Sequence, residues 1–395
     1  MIQLQRSLVC SLFALAAGCQ SHHRLPEDRK VGLSSSEVVV GMTAAMTGSA
    51  SFLGTQTAHG AQAWFNEVNR TGGVAGRQIR LVVRDDGYDP PRTGVNVQAL
   101  LVEDHAFALF GFVGTPTSVR ATPLIDRAKV PSVGFFTGAE ALRKPTIPWA
   151  FHVRDSYYAE AEHAVAYFID ELKLERVAVL YQQDAFGQAV LSGLQLALKR
   201  RNKVPAALAT YERGSLAMEG PLSQLQPSKP EAYFMVGTYA PLARFVKLAS
   251  SGGEHPWFHT VSFVGSEAFA TELTQAQKLE PAHYAHVLVT QVVPSPRDDK
   301  LPGVMEYRAL HARAYPSDSP NYVALEGFIN AKVLTLALTR AGHELDRDKL
   351  VSALESLSNL DIGIGRKLSY SPTNHVALTG VFLSRLEPDG IFRTF

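Results

Sequence analysis

Three sets of side chains have the types and spacing to do chemistry. Asp85, Asp86 and Asp89 gather carboxylates in one short run, as a glycosidase pair or a Mg²⁺ site would require. The same run fits the end of a strand followed by a helix cap, because Pro90-Pro91 comes next and proline suits a first helical turn. His255/His259 and His283/His286 have the separations of metal ligands, but Pro256 and Pro281 place them in loops and no H-E-x-x-H helix accompanies them. The third set is a series of loops rich in Gly, Ser and Thr, at 46–54, 114–118, 136–139, 237–240 and 265–267, with 182–187 beside them. Hydroxyls and backbone N–H groups at helix starts suit a carboxylate or another small anion. No G-x-x-x-x-G-K-[ST], G-x-G-x-x-G or G-x-S-x-G pattern occurs, and no nucleophile–base constellation, so a hydrolase stands last among the readings.

Such loops act together only if the fold brings them to one edge. Short β-branched or aromatic runs at 38–41, 79–83, 107–112 and 130–135 alternate with helical stretches, the first carrying Ala58, Ala61, Trp64, Phe65 and Val68 on one face. The period restarts near residue 155, with strands expected at 176–181, 206–211, 233–237, 257–264 and 287–292. Repeated β-α-β units predict an α/β fold of two doubly wound parallel-sheet lobes, whose ligands sit outside the carboxyl ends of the strands. The loops above fall at those ends. Tyr157, Tyr158, Tyr181 and Tyr239 read one by one as packing residues, and as a group could wall a cleft. Past residue 300 the pattern changes to an amphipathic helix at 322–341, a second helix at 346–357, and strands at 368–370 and 376–385 that return to complete the two lobes.

Composition narrows the function. The chain has 395 residues, 46% hydrophobic and 19% charged, with a formal net charge of +1. That balance suits a folded protein and gives no basic excess for nucleic acid. Both cysteines, Cys10 and Cys19, lie at the start, so the body has neither disulfide nor thiolate metal cage. Arg6, the apolar stretch 8–17 and the small residues Ala16-Ala17-Gly18 before Cys19 read as a secretory signal at 1–18. The small residues resemble a lipobox, which implies cleavage before Cys19 and acylation of its thiol; an ordinary signal peptide is the other reading. Residues 19–36 are polar and aperiodic, a tether in which His22 and His23 are solvated. The only membrane contact expected is through that lipid anchor, with the body in the periplasm or cell envelope.

The segments 38–48, 65–90, 111–123, 130–139, 151–156, 177–189, 263–269 and 322–338 together resemble the bacterial periplasmic ligand-binding proteins of the branched-chain amino acid (Leu/Ile/Val) type, the substrate-capturing subunits of ABC importers. The resemblance covers the body from Glu37 to Phe395. It implies the type I periplasmic binding fold, two lobes joined by three crossover strands, with 37–153 plus 287–365 in the first lobe and 154–286 plus 366–395 in the second. It also implies a small-molecule solute, an amino acid or small organic acid, an inner-membrane ABC permease as partner, no cofactor and no catalysis. Carried over by segment, the ligand's carboxylate meets Thr115 and Thr137 to Ala139. Phe186 replaces a common tyrosine, Tyr239 (or Thr238 in another register) adds a wall, Phe52 flanks the ligand's side chain, and Glu267 pairs with its ammonium group. A second function is open to the same fold: an envelope lipoprotein acting as a protein-interaction or regulatory module, such as an activator of a peptidoglycan synthase. Gln20, where enteric inner-membrane lipoproteins carry aspartate, leans that way.

Overall fold

The computed structural model describes Leu25, residues 28–251 and residues 255–395. The expected signal segment, Cys19 and most of the tether, His22 and His23 included, lie outside the described residues. In chain order the first half runs β1 (Glu37–Ala44), α1 (Ser51–Arg70), β2 (Gln78–Asp85), α2 (Pro90–Val102), β3 (Ala108–Phe110), α3 (Thr115–Ala128), β4 (Ser132–Val133), β5 (Ala150–Phe151), α4 (Tyr157–Val165), β6 (Val177–Gln182), α5 (Ala185–Lys199) and β7 (Ala207–Tyr211). It continues through α6 (Glu219–Leu225), β8 (Ala232–Val236), α7 (Tyr239–Ser250), β9 (Trp257–Thr260), α8 (Ser266–Thr271), α9 (Pro281–Tyr284), β10 (Val287–Gln291), α10 (Pro302–Ala314), α11 (Tyr322–Ala341), α12 (Arg347–Glu355), β11 (Leu360–Asp361), β12 (Lys367–Leu368), β13 (Phe382–Leu386) and β14 (Phe392–Thr394).

Two sheets carry the lobes. The first has the order β2-β1-β3-β4-β5 and is parallel throughout. The second has the order β14-β13-β10-β9-β8-β6-β7, parallel from β7 to β10 and antiparallel at β13 and β14. Val38, Val40, Val179, Leu180, Phe234 and Leu288 are wholly buried, as strands covered by helices on both faces must be. In each sheet the strand order reverses beside the first strand of its lobe, β1 or β6, and the loops after them open onto the space between the lobes.

The returns differ from expectation in three ways. β10 pairs with β9 and β13, so Val287–Gln291 belongs to the second sheet and the chain crosses back after it, at 292–301, rather than at 287. The single strand expected at 376–385 is two pieces: Ala377 and Leu378 donate to the carbonyls of His152 and Val153 in the first crossover, and β13 begins only after Gly380, at φ 98°. β11 and β12 form a separate two-stranded ribbon. The helix α11 is buried nearly all round over its first ten residues instead of along one stripe. Its hydropathy and length would also suit a membrane span, but its place is against α1. The two helices cross so closely that a Cβ on Gly60 would lie 1.8 Å from the Ala324 carbonyl oxygen, and one on Gly327 2.3 Å from that of Thr57. Only glycine allows backbones to approach this far.

Candidate ligand site between the lobes

The acidic run is a set of local caps. Asp89 accepts from Arg92 N at the start of α2, Asp85 accepts from Met46 N, Thr47 N and Gly87 N, and Asp86 accepts from Thr43, Thr93 and Tyr88 N. These bonds hold the loops after β1 and β2 in place and turn Tyr88 into the gap between the lobes, where its ring stands 6.0 Å from that of Phe263. His259 is a core residue of β9 whose pKa burial pushes down to about 3, while His286 stacks on Trp257. Among the described residues no group of three or more His, Cys, Asp or Glu is arranged to hold a metal ion.

The first lobe supplies donors. Gly114 precedes α3, and Thr115, at its first turn, meets Thr137 with the two hydroxyl oxygens 2.7 Å apart. Ala139 N donates to Thr137 Oγ1 at 3.3 Å, so Thr115, Thr137 and Ala139 form one cluster, and all are buried. Two guanidinium groups lie behind it. Arg143 donates to the carbonyls of Thr137 (2.9 Å) and Arg154 (2.8 Å), and burial lowers its pKa to about 10. Arg154 donates twice to Glu326 of α11, both bonds 2.8 Å, and lies 4.3 Å over the ring of Phe136. Burial opposes the charge of Arg154, but Glu326 more than compensates and its pKa stays above the ordinary value.

The second lobe supplies rings and amides. Asp184 caps α5 by accepting from Phe186 N and Gly187 N, which directs Phe186 inward. Its ring lies 5.4 Å from Tyr157 and 4.5 Å from Phe263, and Phe263 in turn lies 5.7 Å from Phe136 of the first lobe. At the rim Phe52 and Tyr239 meet edge to face at 6.3 Å. Arg213 ties the lobes by donating to the Tyr88 carbonyl and to Asp184. Of the two registers left open after β8, Thr238 is inside and wholly buried, whereas Tyr239 stands at the rim. Gly265, at φ 75°, lets the loop after β9 lie against Phe52 and Leu53, where a Cβ would come 2.7 Å from Leu53.

Several buried polar atoms of the loops and helix starts named above make no hydrogen bond of normal geometry: Tyr88 Oη, Ser118 Oγ, Tyr157 Oη, Gln182 Oε1 and Thr238 Oγ1, although Tyr88 lies against Gln182 and Tyr157 against Thr137. Each belongs to a residue no more than 2% exposed. Burial raises the Tyr157 phenol to about 12 and that of Tyr88 well above its usual value, so both remain neutral donors. A buried polar group left unpaired costs about 1–3 kcal/mol. Native interiors leave few such groups, and an ordered water, an ion or a bound small molecule supplies the missing partner.

Glu267 is elsewhere. It lies in the first turn of α8, and its carboxylate accepts from Tyr322 N, the first residue of α11, at 3.1 Å. The other oxygen is buried without a partner, and burial raises the pKa to about 7. It lines a cavity of about 230 Å³ with Ser295, Arg297, Ser319 and the hairpin at 389–392. The expected position opposite the donors is occupied instead by the turn Ser262–Val264, which presents Phe263. Phe263 begins a segment the sequence flagged but fell inside the strand expected at 257–264; β9 ends at Thr260, which makes it an aromatic residue just past the carboxyl end of a strand. Tyr88 and Phe136 had the same signal.

Residues 37–390 match the family model of periplasmic binding proteins. A Leu/Ile/Val-binding protein of Rhizobium johnstonii is 20% identical over 90% of this chain and 93% of its own length. The crystal structure of a possible leucine/isoleucine/valine-binding protein from Rhodopirellula baltica superposes with a TM-score of 0.85 at 33% identity, covering 91% of this chain and 96% of that one. A Thermus thermophilus branched-chain amino acid ABC transporter protein with bound valine shares the fold, with a TM-score of 0.80 at 17% identity over 92% of this chain and 96% of that one.

Proposed function

Because the chain belongs to the periplasmic binding protein family and is a binding protein rather than an enzyme, we propose that it captures a small carboxylate-bearing solute with an apolar body between its lobes and delivers it to an ABC permease. The observation that carries this is the set of buried, weakly bonded polar atoms on Tyr88, Ser118, Tyr157, Gln182 and Thr238, with the Thr115–Thr137–Ala139 cluster and the rings of Phe136, Phe186 and Phe263. Donors beside apolar rings complement a molecule with an acid at one end and hydrocarbon at the other. Hinge motion at the crossovers would open and shut the site. Cys19 would tether the protein at the membrane by its acylated thiol. A thermal-shift panel of small acids and amino acids on the purified protein tests the capture: a ligand at ~100 times its Kd adds about 2.7 kcal/mol. A panel in which nothing raises Tm would sink it.

The crowding of Phe136, Phe186 and Phe263, with centroids 4.5–5.7 Å apart, favours a second reading. There the closed fold is a protein-interaction or regulatory module in the envelope, and no solute in the panel binds.

A further inference from the structure

We infer that the cleft takes a small carboxylic acid that carries no ammonium group. This rests on the solute-capture reading and narrows its ligand. An ammonium taken out of water costs several kcal/mol unless a carboxylate faces it, because desolvation in a low-dielectric interior penalises an unpaired charge. The acids bordering the cleft are already engaged. Asp86 holds two threonines and the Tyr88 amide, and Asp184 holds two backbone amides, the Gln182 amide and Arg213. Glu160 accepts from Ser262 N (2.7 Å), Ser262 Oγ (2.9 Å) and Thr290 Oγ1 (2.7 Å). Glu326 is matched by both bonds from Arg154. Among the described residues the one carboxylate with a free buried oxygen, Glu267, faces the cavity beside Tyr322 and Arg297.

The charge behind the donors has the opposite sign. Arg143 makes all its hydrogen bonds to carbonyl oxygens, so its guanidinium has no bonded carboxylate among the described residues, and it backs directly onto the Thr137 carbonyl. Glu140 and Asp155 stand near enough to favour its charge, while the neighbouring Arg154 opposes it. The acids of the cleft therefore offer an ammonium no unbonded oxygen, whereas hydroxyls such as Ser118 Oγ and Tyr157 Oη can donate to a carboxylate.

Titration calorimetry of the full-length protein at pH 7.5 with matched pairs tests this: 4-methyl-2-oxopentanoate against leucine, and 3-phenylpropanoate against phenylalanine. At least one acid is expected to bind tenfold or more tightly than its amino acid partner. An amino acid that binds as tightly as or more tightly than its acid overturns the inference and leaves solute capture standing. No heat and no Tm shift from any of the four removes the capture reading and this inference with it. As a control on charge, 3-phenylpropanamide should bind at least tenfold more weakly than 3-phenylpropanoate, and equal affinity overturns the anion assignment.

Discussion

Two places between the lobes hold buried polar groups short of partners, and they are built to opposite rules. In the cleft the unpaired atoms are neutral hydroxyls and an amide, the acids are consumed by backbone caps, and a guanidinium stands behind the donors. At the junction beside α11 the unpaired atom belongs to a carboxylate, Glu267, held by one backbone amide at a helix start. A neutral cluster can wait for a ligand at modest cost, whereas a half-paired acid shifts its protonation instead. The contrast teaches that an acid near a binding motif says little about the ligand until its other bonds are counted.

The strongest way to break the comparison is to truncate two glutamates that both touch α11. Glu326→Ala leaves Arg154 charged and buried without a partner, and chemical denaturation should show a loss of about 3–5 kcal/mol. If Glu267→Ala costs as much, the two acids are equivalent and the contrast fails. Next in size is the donor cluster. Thr137→Val keeps the shape but removes the hydroxyl that meets Thr115 and Ala139, and calorimetry with a bound acid should record a loss of about 1–3 kcal/mol in affinity. Unchanged binding would move the acid end of the ligand elsewhere.

A smaller effect depends on pH. Glu267 has a folded pKa of about 7, above its ordinary 4.5, so the folded protein holds more protons than the unfolded chain between those values. The stability tied to its protonated form is present below about pH 4.5 and is lost as pH rises through 7. Glu267→Gln should therefore raise Tm by about 2 °C at pH 8 and change it little at pH 4.5. A gain of the same size at both pH values would show that the carboxyl does not titrate as its burial requires. The smallest expected effect sharpens the point: Glu267→Ala should leave ligand affinity within about twofold, and a tenfold loss would return that residue to the site.

Much of the architecture was readable along the chain. Strand runs such as those expected at 107–112 and 130–135, separated by helices, already place the loops with Thr115 and Thr137 at the carboxyl edge. Those assignments rest on local periodicity, which the backbone obeys wherever a strand is covered on both faces. The exchange of Glu267 for Phe263 was not readable. Four residues separate them, and the tight turn at 262–264 with the left-handed Gly265 decides which one enters the cleft. The crossing after β10 instead of at 287, and the break at Gly380, also turn on pairing between segments more than 130 residues apart in the case of Ala377 with His152.

What residue order alone determined here is the alternation of strands and helices and the donor-rich loops at the strand ends. Tertiary structure alone decided which acids remain free, because each carboxylate's charge is spent on whatever amide, hydroxyl or guanidinium the fold brings within 3 Å of it. The caps of Asp86 and Asp184 are partly local, but other partners come from distant segments, as when Glu160 holds Ser262 and Thr290, and no local pattern encodes those.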